Sequence, residues 1–141
     1  MNRRAIETKL ALFSVASATL HFVGETAYQI RFGQYLPMLI VDYIAVALLW
    51  FAAGRSLYVK PASAAGLLCG GWGFTCCLNY ITYFGRLQRR LTDAPNVNAE
   101  PTKVADILGA LLFISGAAFL LSVWLANPAT HSATRENQNN D

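Results

Sequence analysis

His21 and Glu25 stand four residues apart, the spacing that makes side chains neighbours on one face of an α-helix. Asp42 follows inside an otherwise apolar run, flanked by Leu39-Ile40-Val41 and Ile44-Ala45-Val46, with no cation within a helical turn. An imidazole near two carboxyls can relay a proton or work as an acid and base pair once burial and mutual charge shift their titration. The same trio could present ligands to a divalent cation, since His at i and Glu at i+4 share a helical face. That spacing is common in helices of every kind, and we assign no metal and no cofactor. A structural role competes with each functional one: Glu25 at a membrane interface, His21 donating to an acceptor inside a helix bundle, Asp42 protonated or paired with His21.

The elements that must position these groups follow from composition. Of 141 residues, 55% are hydrophobic and only 13% charged, with a mean hydropathy of +0.36, too little polarity to coat a soluble domain. A helix crossing about 30 Å of hydrocarbon needs roughly 20 predominantly apolar residues. We find four such stretches, at 6–27, 36–53, 61–85 and 104–126. Lys9 can snorkel from the first, Arg31 and Arg55 bound the second, and Lys60 and Arg86 bound the third. Asp106 stands at the start of the fourth, which stops at Asn127-Pro128. Pro37 and Pro61 suit first-turn positions, where a missing N–H is harmless. A cleaved signal peptide is the competing reading of the first stretch, but His-Phe-Val-Gly-Glu replaces the small-residue cleavage pattern. The expectation is an all-α membrane protein whose residues 1–128 form four transmembrane helices in an antiparallel up-and-down bundle. A disordered polar tail over 129–141 completes the chain.

Antiparallel folding then fixes depth. At about 1.5 Å rise per residue, His21 lies roughly 9 Å inside the end of the first helix, and Asp42 lies level with it. Glu25 sits one turn nearer the surface. Cys76, Cys77, Asn79 and Tyr83 fall in the same half of the bilayer, and Asp106 enters there. Intramembrane polarity therefore collects in one leaflet, while the other is lined mainly by Ala, Leu, Val and Trp50. This predicts a polar cavity open to one side, formed by His21, Glu25, Asp42, Asn79 and Asp106; ionisable groups at membrane depth are functional candidates by default.

Small residues let membrane helices approach closely. Gly66, Gly70 and Gly73 form one such stripe, Gly109 and Gly116 another with Ser115, Ala118 and Ser122 nearby, and Ala11, Ser14 and Ala18 line up with His21 and Glu25. Gly70-Gly71-Trp72-Gly73 resembles a loop in isolation, yet its mid-span position argues for close packing or a local kink. Cys69, Cys76 and Cys77 share one apolar helix, where free thiols behave as small hydrophobes. Tyr28, Phe32, Tyr35, Tyr58, Tyr80, Tyr83 and Phe84 suit interfacial anchors.

No phosphate-binding glycine loop, nucleophile elbow or zinc-protease helix occurs in the sequence. The net charge of +3 comes chiefly from helix ends, and Arg86, Arg89 and Arg90 suit lipid headgroups rather than nucleic acid. The terminal side carries six Lys and Arg and the opposite side five, but the first helix is flanked by three against one. That favours both termini in the cytoplasm, and we expect a multi-pass protein of a bacterial inner membrane. Its expected partners are membrane lipids, further copies of the chain or a larger membrane complex. The leading expectation for function is a noncatalytic accessory or ligand-binding module. Alternatives are a small proton-coupled transporter acting as an oligomer, and a lipid-modifying enzyme using His21, Glu25 and Asp42 as acid and base.

Overall fold

The computed structural model describes residues 3–33, 36–59, 64–91 and 102–127. They form four helices: α1 Arg3–Phe32, α2 Leu36–Tyr58, α3 Ala65–Leu91 and α4 Thr102–Ala126. Tyr35, Lys60, Pro61, Pro128 and the 129–141 tail lie outside the described residues.

Each helix follows an apolar run but outlasts it. The 30 residues of α1 extend about 45 Å at 1.5 Å per residue, longer than the roughly 30 Å of a bilayer's hydrocarbon. Gly33 stops it: with φ at +68° it adopts the left-handed conformation, and its N–H donates to the Gln29 carbonyl at 3.0 Å. Pro37 occupies the first turn of α2, where no intrahelical donor is required. By length and composition α1, α2 and α4 are apolar enough to cross a membrane. The fourth expected span, α3, falls short of that measure. It carries no charge before Arg86, but Gly, Thr, Tyr and Asn dilute its apolar residues.

The helices pack most extensively as α3 on α4 and α1 on α2; α2 joins the pairs through α3, and α1 meets α4 least. Leu10, Ala18, Val46, Leu49, Ala52, Leu68, Trp72, Ala118 and Leu125 belong to a common apolar core. Small residues make the approach possible. A Cβ on Gly71 would stand 3.1 Å from Leu49 Cδ2, and one on Gly73 would stand 3.1 Å from the Phe119 ring.

Burial among the described residues is concentrated in one half of the helices. Among the described residues, the buried positions of α1 end at Ala18 and those of α3 at Asn79, while those of α4 begin at Ser115. On α2 only Leu39 precedes Ala45. Contacts of the first turn of α1 with the ends of α2 and α4 and the start of α3 identify the packed half as the one holding that turn. In the opposite half the helices cover one another less. Their outward surface is apolar, with Leu20, Val23, Ile40, Ile81 and Phe113 all exposed.

Candidate functional site

The looser half contains His21, Glu25 and Asp42. His21 and Glu25 project from one face of α1, and Asp42 meets them from the first turns of α2. Aromatic and hydroxyl contacts hold the two helices in register around them. Phe22 packs against Tyr43 and Trp50, with ring centroids 5.3 and 5.7 Å apart. The Thr26 and Tyr43 hydroxyls are hydrogen-bonded at 2.9 Å, and the Trp50 indole N–H donates to Thr19 Oγ1 at 3.4 Å.

His21 Nε2 stands 3.9 Å from Asp42 Oδ1, with the two side chains 23% and 17% exposed. That separation suits an ion pair but is too long for a hydrogen bond. Nε2 is itself covered and has no hydrogen-bond partner among the described residues. Glu25 is half-buried and within electrostatic reach of Asp42, His21 and Arg86, the last contributed by the far end of α3. The cluster thus combines an imidazole, two carboxyls and a guanidinium in partial contact with the surroundings. Such a set can hold the polar head of a ligand or exchange a proton with one bridging the gap between His21 and Asp42. Among the described residues no group of three or more His, Cys, Asp or Glu has the arrangement to hold a metal ion.

Asn79 is engaged elsewhere. Asn79 is buried between α3 and α4, where its amide donates to Ser115 Oγ at 3.1 Å and the Leu111 carbonyl at 3.4 Å. It ties those two helices together. Asp106 is exposed near the start of α4. Of the glycines, Gly73 meets Phe119, Gly109 meets the Tyr83 ring and Gly116 faces Cys76 Sγ, whereas a Cβ on Gly66 or Gly70 would meet nothing within 4 Å. The thiols are free; Cys77 is exposed, and Cys69 and Cys76 are partly covered.

The packed half adds a buried acid to its apolar core. Glu7 is only 5% exposed there, accepting from Ser56 Oγ at 2.9 Å and from the Ala64 backbone N–H at 3.0 Å, with Arg4 Nη1 at 3.7 Å. Arg4 also donates to the Ser56 carbonyl at 3.2 Å. Arg3 donates to the carbonyls of Trp124 and Leu125 at 3.0 and 2.8 Å, its guanidinium 5.1 Å from the Trp124 ring centroid. Trp50 is 39% exposed. Glu7 escapes attention in the sequence because it sits among Arg3, Arg4 and Lys9, where a charge usually marks a solvated flank. Its signal is positional: the stripe of Ala11, Ser14, Ala18, His21 and Glu25 extends back by one turn to Glu7.

No family model, curated protein or solved structure matches this chain.

Proposed function

We infer that this chain is a noncatalytic, multi-pass membrane module: an antiparallel bundle crossing the bilayer four times, with a cleft in one leaflet for a small polar or amphiphilic ligand. One observation carries the reading. Burial thins beyond Ala18, Asn79 and Ser115, with Leu39 still buried on α2, and the half beyond holds His21 and Asp42, 3.9 Å apart and incompletely covered. Ionisable groups at membrane depth are expensive to leave against lipid and normally face a partner or water. A ligand entering where the helices diverge would set its polar head among His21, Glu25 and Asp42 and its apolar part against the helix walls.

The fourth span in this reading is α3. Its paucity of strongly apolar residues is offset by its close packing on α4 and by the Trp72, Asn79 and Thr75 hydrogen bonds, which satisfy its polar groups inside protein. We place both termini in the cytoplasm of a bacterial cell, with the cleft opening to the far side of the inner membrane. An accessory role beside other membrane subunits, or in a homo-oligomer, fits the broad apolar exterior.

The test is mass spectrometry of lipids and small molecules copurifying with the protein in nanodiscs. Wild type should retain a species that Asp42→Asn, His21→Ala and Glu25→Gln lose while remaining folded. An identical set of bound species in all four proteins would refute the cleft.

A further inference from the structure

Three polar side chains on the first turn and a half of α1 reach all three of the other helices. The last carbonyls of a helix and its first N–H groups have no partner within that helix. At this end of the bundle α1 supplies partners for them: Arg3 for the Trp124 and Leu125 carbonyls of α4, Arg4 for the Ser56 carbonyl near the end of α2, and Glu7 for the Ala64 N–H that precedes α3. Glu7 also accepts from the Ser56 hydroxyl. Directly behind these contacts lie Leu10, Ala11 and Ser14, at 4%, 0% and 0% exposure. The polar cluster therefore caps the packed half at its outer edge.

This arrangement has the properties of a latch. Its bonds converge on one short segment, and each backbone group it holds could be satisfied by water at a membrane surface if the segment swung away. Behind it α1 sets Leu10 in the core and Ile6 against its edge, beside the small Ala11 and Ser14, so the polar contacts and this packing hold the end shut together. By contrast, the α3–α4 pair is held along its length by Asn79, Gly73 and Gly109 and would stay together.

We propose that Arg3, Arg4 and Glu7 form a latch that shuts the packed end of the bundle, and that its release swings the start of α1 outward to open that end. A bundle loose at one end and latched at the other has two gates, and opening the second would expose the core from the terminal side. The latch stands on its own contacts, and its test uses no ligand, so it can fail without the cleft reading failing.

The experiment measures the reaction of a buried cysteine with a charged, membrane-impermeant maleimide in nanodiscs, with Cys69, Cys76 and Cys77 replaced by alanine. Ala11→Cys reports on the space behind the latch, and Ala45→Cys, 2% exposed on α2, serves as the reference. Local opening should make Ala11→Cys react about tenfold faster in Glu7→Ala than with Glu7 intact, with Ala45→Cys unchanged. Glu7→Gln, which keeps an acceptor oxygen but loses the charge facing Arg4, should fall between. Equal rates at Ala11→Cys with and without Glu7 would overturn the latch, as would the same acceleration at both reporters, since that denotes general loosening. If Glu7→Ala fails to fold, Arg3→Gln replaces it, with the same outcomes expected and the same outcomes decisive.

Discussion

The indole N–H of Trp72 donates to the hydroxyl of Ser14 at 2.9 Å, joining α3 to α1 through the middle of the core. Ser14 passes its own hydrogen to the Leu10 carbonyl at 2.8 Å, and the indole stacks on Phe13 with centroids 5.5 Å apart. Trp72 is 2% exposed, so Ser14→Ala strands a buried donor. The expected loss is about 1–2 kcal/mol, at the upper end of side-chain hydrogen bonds between membrane helices. Thr19→Ala removes the acceptor of the longer, exposed bond from Trp50, at 3.4 Å, and should cost under about 0.5 kcal/mol. Unfolding titrations in mixed detergent would measure both. Equal losses would show that the contact through the core carries no special share of stability.

The sequence exposes apolar runs, proline starts and periodic small residues directly, because bilayer thickness and the helical repeat set them. It does not expose how closely the helices cover one another at each end. His21 and Asp42 could be placed level with each other from spacing alone, with Glu25 one turn away, but Asn79 could not be separated from them, since depth says nothing of azimuth. Glu7 was hidden for a different reason. Its partners are a hydroxyl and a backbone N–H at positions 56 and 64, which only tertiary packing brings near position 7.

The glycines of α3 should divide by their surroundings. A methyl at Gly71 would sit 3.1 Å from Leu49 Cδ2 and 3.6 Å from the Leu49 backbone, in a core with little room to give. Gly71→Ala should therefore cost about 1–2 kcal/mol, overpacking outweighing the roughly 1 kcal/mol that alanine gains over glycine in a helix. Gly66→Ala and Gly70→Ala meet nothing within 4 Å and should be neutral or slightly stabilising in the monomer. The same detergent titration reads all three, and a loss at Gly70 matching that at Gly71 would contradict the packing described.

At Gly33 the constraint is conformational. The position lies in open space, yet its φ of +68° is unfavourable for any residue with a Cβ. Gly33→Ala should destabilise the end of α1 by about 1 kcal/mol, and Gly33→Asn by less, because asparagine tolerates the left-handed region. Amide hydrogen exchange over residues 28–33 provides the measurement; unchanged protection in Gly33→Ala would remove the cap from the account.

Stability and binding should separate between the two polar groups of the lower-coverage half and the α3–α4 interface. His21 and Asp42 are 3.9 Å apart and partly exposed, so their mutual attraction is screened and a double-substitution cycle of His21→Ala with Asp42→Asn should give a coupling below about 1 kcal/mol. Asn79 is 7% exposed and bonded to both Ser115 and Leu111, so Asn79→Ala should cost about 1 kcal/mol or more. The bound-molecule profile should show the reverse order, unchanged in Asn79→Ala and depleted in Asp42→Asn. A strong stability coupling between His21 and Asp42, together with an unaltered profile, would mean that the pair fastens α1 to α2 and that the ligand site lies elsewhere.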